Sequence, residues 1–77
     1  MNKEQVIPYY YDIELDLSQA ERDDDCYFIF YYDGKQVTSS SNILRIGNVD
    51  RQSQEEVLRR FEGTKGIKNI HGIFKSI

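Results

Sequence analysis

Cys26-Tyr27-Phe28-Ile29-Phe30-Tyr31-Tyr32 is apolar or aromatic at every position, and Asp33-Gly34 follows it at once. A run this short and this rich in aromatic residues favours a strand with cover on both faces, which predicts the central strand of a sheet. Asp-Gly between extended runs favours a two-residue hairpin, because both turn residues must take positive φ. That turn pairs Tyr32 with Lys35, Phe30 with Val37 and Phe28 with Ser39. The returning strand is polar through Thr38-Ser39-Ser40-Ser41-Asn42 and apolar again at Ile43, Leu44 and Ile46, so a bulge or kink is expected near the serines.

Upstream, Tyr9, Tyr11, Ile13, Leu15 and Leu17 alternate with Tyr10, Asp12, Glu14 and Asp16. A period of two marks a strand with one buried and one wet face, predicted over 9–17 with Pro8 just ahead of it, where a missing amide hydrogen does little harm. The polar stretch 18–25 ends in Asp23-Asp24-Asp25 and reads as a solvated loop.

Downstream, Gly47 and Asn48 break the strand, and Ser53-Gln54-Glu55-Glu56 has the form of a capping box, with Asp50 as a rival cap. A helix is predicted to about Glu62, with Val57, Leu58 and Phe61 on its apolar stripe. Glu55 with Arg59 and Glu56 with Arg60 form its i,i+4 pairs, and Gly63 ends it. Residues 67–77 read as a last strand, with Ile70 and Phe74 on one face and Ile73 and Ile77 on the other. The expected fold is therefore one small α+β domain over residues 1–77. Its four-stranded, mainly antiparallel sheet (β-β-β-α-β) has spatial order 4-1-2-3, the last strand parallel to the first, and one helix on one face.

The succession of aromatic strand, hairpin, Ser/Asn-containing strand, short helix and closing Gly66-Ile67-Lys68-Asn69-Ile70 resembles short uncharacterised α+β proteins of phages and mobile elements. The resemblance covers residues 26–77. It implies an accessory protein that acts by binding something in the host. The acidic strand at 9–17 departs from that pattern, and no functional residue carries over.

Composition narrows the function classes. A chain of 77 residues is one domain, with an expected stability of about 4–12 kcal/mol. Cys26 is the one cysteine, so neither an internal disulfide nor a multi-cysteine metal framework is expected. The N-terminus leads into no signal-peptide apolar region and no run is long enough to span a membrane, so a cytoplasmic protein is expected, in the host cytoplasm if phage-encoded. Catalysis has little support. Cys26 and His71 are the only candidate nucleophile and base, and no phosphate loop or nucleophile elbow is present, so no enzyme and no cofactor are expected. The aspartate run lacks the spacing of a calcium loop.

Charge is the most suggestive feature. Residues 1–34 carry nine acids against two bases, a net of −7, whereas residues 35–77 carry eight bases against four acids, a net of +4. Asp12, Glu14 and Asp16 on one strand face repeat about every 6.6 Å, near the spacing of charges along a nucleic-acid strand. With Asp23, Asp24 and Asp25 beyond, they offer an imitation of a phosphate backbone, and Tyr10, Tyr27 and Tyr31 offer apolar anchors. The bland alternative is a solvated strand face that discourages aggregation.

The reading is a non-catalytic inhibitor, DNA-mimic-like, of a basic host protein in a nucleic-acid-handling or defence complex. Two alternatives stand beside it. One is direct nucleic-acid binding by Arg45, Arg51, Arg59, Arg60, Lys65 and Lys68, which the overall acidity of the chain disfavours. The other is self-association, as a homodimer, through an exposed strand edge.

Overall fold

A computed structural model describes residues 6–47 and 52–76, with side chains placed over 10–47 and 52–73. Its elements are β1 (Val6–Leu15), β2 (Phe28–Tyr32), β3 (Lys35–Ser39), β4 (Ile43–Gly47), α1 (Gln54–Arg60) and β5 (Ile67–Ser76). The chain is α+β and its strand pairs are antiparallel, but the strands form two sheets: a three-stranded sheet of order β4-β1-β5 and the hairpin β2-β3. This corrects the expectation of one four-stranded sheet. No helix among the described residues is long and apolar enough to cross a membrane.

The hairpin forms as its sequence demands. Asp33 and Gly34 take φ of 52° and 80°, and the register is Phe28↔Ser39, Phe30↔Val37 and Tyr32↔Lys35. The chain then leaves this sheet instead of bulging within it. At the corner the amide of Ser41 donates to Ser39 Oγ at 3.2 Å and that of Ile43 to Ser41 Oγ at 3.1 Å, short side chains taking the place of ladder bonds. Asn42 clamps the corner to β1, its Nδ2 donating to the carbonyl of Leu15 and its own carbonyl accepting the Leu15 amide. One polar run thus separates two strands in two sheets.

The central strand is therefore β1, not residues 26–32. Tyr11, Ile13 and Leu15 are buried and Tyr10, Asp12 and Glu14 face outward, as the period of two requires. The strand ends at Leu15, because Asp16 caps a turn. Its Oδ1 accepts from the amide and hydroxyl of Ser18, and its carbonyl accepts from the amides of Gln19 and Ala20. Leu17 is consequently exposed. Pro8 lies inside the strand, at the register shift between Pro8 and Tyr10, where a residue without an amide hydrogen is tolerated. The last strand pairs with the first as expected but runs antiparallel to it, Ile13 facing Ile70 and Asp12 facing His71.

A strand apolar throughout needs cover, and β2 obtains it without becoming the sheet centre. Phe28 and Phe30 enter the core. The backbone edge turned away from β3 is also satisfied. Ile29 donates to the carbonyl of Glu21, Tyr31 exchanges two bonds with Thr64 Oγ1, and Asp33 donates to the carbonyl of Arg60. Two residues of the predicted strand lie outside β2: Cys26 takes a left-handed φ of 67° and Tyr27 is exposed.

The helix begins at Ser53 through the capping box, Ser53 Oγ accepting from the Glu56 amide and Glu56 Oε1 accepting from the Ser53 amide. It ends at Arg60 with Phe61 as cap, two residues short of Glu62, and Gly63 follows at φ 93°. The rival cap Asp50 lies outside the described residues, as do the side chains of Tyr9, Phe74 and Ile77. Val57 and Phe61 are buried and Leu58 half-buried. Val57 and Phe61 close one core with Tyr11, Ile13, Leu15, Phe28 and Phe30, against which Leu44, Ile46, Ile67 and Ile70 pack, whereas Leu58 is not part of that cluster. The three-stranded sheet thus packs one face against the hairpin and helix, and among the described residues no further layer covers its other face.

Candidate functional site

Strand order decides what becomes of the acidic residues. The order β4-β1-β5 places the acidic strand between two strands whose charged residues are all basic, so the opposed charges of the two halves meet in space. On the open face Arg45 of β4 stands opposite Asp12 and donates to it twice, Nε to Oδ1 at 2.8 Å and Nη2 to Oδ2 at 3.0 Å. These hydrogen bonds hold the Asp12 carboxyl below its usual range and raise Arg45. The same guanidinium lies 5.1 Å from the centre of the Tyr10 ring, and Tyr10 extends over Gly47, where a Cβ would meet Tyr10 Cε1 at 3.1 Å. On the other flank Glu14 accepts from Asn69 Nδ2 at 3.3 Å and lies 3.7 Å from His71 Nε2. The centre of this face is a mixed-charge row, not an acidic one.

Of the described carboxylates in the first 34 residues, those not held by an arginine lie toward one end of the molecule, while Glu55 and Glu62 are exposed on and beside the helix. The loop 16–27 joins the end of β1 to the start of β2, and the corner 40–42 joins the end of β3 to the start of β4, so both lie at the same end of the two sheets. Within the loop, Asp23 organises a closed turn. Its Oδ1 accepts from the amides of Asp25 and Tyr27 at 2.9 Å each, its carbonyl accepts from Cys26, and its amide donates to the carbonyl of Tyr27. Asp23 is thus structural, while Asp24 and Asp25 are exposed on the turn it holds. Asp16, likewise engaged through Ser18, is kept below its usual range by those bonds.

Large exposed apolar residues lie at the same end. Among the described side chains the exposed large hydrophobics are Leu17 at 61%, Tyr27 at 45% and Ile43 at 44%. Leu17 and Tyr27 belong to the acidic loop, and Ile43 follows the serine corner and faces Glu14 across the strand pair. Exposed Leu17, Tyr27 and Ile43 at the end that also carries Glu14, Asp16, Asp24 and Asp25 are the feature of this surface that solvation alone does not require.

No family model, curated protein or solved structure matches the chain. The site therefore stands on its own geometry.

Of the residues singled out from sequence, Glu14, Asp16, Asp23, Asp24, Asp25 and Tyr27 come together at this end. Asp12 and Tyr10 do not, since they belong to the Arg45 cluster further along the open face. Tyr31 is half-buried on the hairpin, its backbone tied to Thr64. Leu17 escaped the sequence reading because it continues the alternation of the first strand, and Ile43 because it opens the apolar stretch Ile43, Leu44 and Ile46. The signals against burying them were Asp16-x-Ser18, a turn former, and the serines before Ile43. Of the six bases proposed for nucleic-acid contact, Arg45 and Arg60 are held by Asp12 and Asp33, Arg51 lies outside the described residues, and Arg59, Lys65 and Lys68 are exposed. The expected Glu56–Arg60 pair is replaced, Glu56 capping the helix and Arg60 turning to the hairpin. A cleft of about 450 Å³ beside it is lined by Asp33, Gly34, Arg59, Arg60, Glu62 and Gly63, with one of its two carboxylates, Asp33, paired to one of its two guanidiniums, Arg60. Among the described residues no three His, Cys, Asp or Glu side chains are placed to hold a metal ion.

Proposed function

We propose that this chain is a non-catalytic binding protein whose acidic end docks on a basic surface of a nucleic-acid-handling host protein and competes there with nucleic acid. The observation that carries this reading is the coincidence, at one end, of exposed Leu17, Tyr27 and Ile43 with Asp24 and Asp25 on a hydrogen-bonded turn. Interfaces draw their energy from a few aromatic or apolar anchors in a polar rim, and charge complementarity adds on-rate and selectivity. A turn already ordered by Asp23 loses little entropy on docking.

The carboxylates doing this work are Asp16, Asp24 and Asp25, with Glu14 at the margin. Asp12 is neutralised by Arg45 and contributes to the sheet. The reading is tested by capturing partners from host lysate on immobilised protein, eluting with rising salt and competing with duplex DNA. A basic protein that leaves at high salt and is displaced by DNA is the expected result. Retention of nucleic acid without such a protein overturns it in favour of direct binding through Arg59, Lys65 and Lys68.

A further inference from the structure

A second surface, remote in kind from the acidic end, lies along β5. This strand runs ten residues, and among the described residues its backbone pairs with β1 alone. The aromatic strand β2, by contrast, has its outer edge closed by Glu21, Thr64 and Arg60. An edge of ten residues left unpaired among the described residues is a feature that proteins usually blunt or use.

The hydrogen-bond phase identifies which groups are open. Leu15 donates toward the β4 side, to Asn42, and Asp16 toward the β5 side, to Gly66. In an antiparallel ladder these directions alternate, so Tyr10, Asp12 and Glu14 turn their backbone groups to β5. Their partners Ile73, His71 and Asn69 turn back toward β1, which leaves the N–H and C=O of Ile70 and Gly72 directed outward.

The side-chain chemistry identifies the occupant. On its paired edge β5 already accepts an alternating acidic and apolar strand, with Asp12 opposite His71, Glu14 opposite Asn69 and Ile13 opposite Ile70. The same His71, Asn69 and Ile70 side chains stand equally beside a strand on the free edge. Charged residues of β5 are Lys68 and Lys75, with His71 between them and no acid. A second copy of β5 in full antiparallel overlap would set Lys68 against Lys75 twice, so self-pairing is opposed by like charge.

We propose that the free edge of β5 takes an extended, alternating acidic and apolar segment of a partner protein as a fourth strand beside β4-β1-β5. Acidic residues of that segment continue the row Arg45–Asp12–His71 on the open face, and its apolar residues lie beside Ile70 and over Gly72. This surface is independent of the acidic end, so either can fail without the other.

The test is residue-resolved amide exchange of the intact protein with and without a ten-residue peptide alternating glutamate with isoleucine and threonine, against the same peptide with lysine for each glutamate. The acidic peptide slows exchange at Ile70 and Gly72 and leaves His71 unchanged, and the lysine peptide binds about ten-fold more weakly. Gly72→Pro, which removes an outward amide that an edge strand tolerates losing, abolishes the effect while β1–β5 protection persists. No protection at Ile70 and Gly72, equal protection by both peptides, or protection that rises with protein concentration alone, which marks a second copy as occupant, overturns the proposal.

Discussion

Arg60, in the last turn of the helix, grips Asp33 in the hairpin turn with two parallel hydrogen bonds, Nε to Oδ1 at 3.0 Å and Nη2 to Oδ2 at 2.8 Å. The Asp33 amide returns a bond to the Arg60 carbonyl at 2.7 Å, and the guanidinium lies 4.8 Å from the centre of the Tyr32 ring. One residue therefore ties the helix end to a left-handed turn and covers an aromatic of the core. Arg60→Ala should lower the melting temperature and loosen the hairpin amides, and Arg60→Lys should not restore them, because an ammonium cannot make the forked contact. An unchanged melting temperature in both would show the clasp to be ornamental.

Acid should weaken the fold through a few identifiable groups. Hydrogen bonds from Arg45 and Arg60 hold Asp12 and Asp33 below their usual range, and bonds from Ser18 and Ser53 do the same for Asp16 and Glu56. The unfolded chain then takes up protons before the folded one as pH falls. This stabilisation is full above the ordinary carboxylate pKa of about 4 and is lost as pH drops through the lower folded values. Melting temperature should be level from about pH 7 to 5 and fall below about pH 4, and Asp33→Asn should flatten part of that fall. A melting temperature that rises on acidification would contradict the assignment.

Ser53→Ala removes the acceptor for the Glu56 amide and should cost about 0.5–2 kcal/mol in denaturant unfolding. The helix of seven residues has little intrinsic stability, so its cap and its buried Val57 and Phe61 must fix it.

Core and exposed hydrophobic residues should differ in what their loss costs. Phe30 is fully buried, so Phe30→Ala is expected to cost about 3–5 kcal/mol, a large share of the stability of about 4–12 kcal/mol expected for a domain of this size. Leu17→Ser, at an exposed site, should change stability by no more than about 0.5 kcal/mol. Chemical denaturation of the two variants compares them directly.

Local elements were legible because their causes are local. The Asp33-Gly34 turn, the Ser53 capping box and the alternation from Tyr11 to Leu15 each depend on a few adjacent residues, and all three stand as expected. Sheet membership was not legible, because it depends on which edges meet. The polar run 38–42 is compatible with a bulge or with a corner, and only the clamp of Asn42 on Leu15 distinguishes them. The site suffered the same way. Asp12 and Asp24 are equivalent as acids in a sequence, but a cross-strand register gives one an arginine and leaves the other in solvent.

Docking by the acidic end is tested most directly by comparing capture on three proteins: the wild type, Asp24→Lys with Asp25→Lys, and Asp12→Asn. All three must first show matching circular dichroism. The wild type and Asp12→Asn should retain the same basic partner and the double lysine variant should lose it. Retention by the double variant with loss by Asp12→Asn would move recognition to the open sheet face and contradict this account.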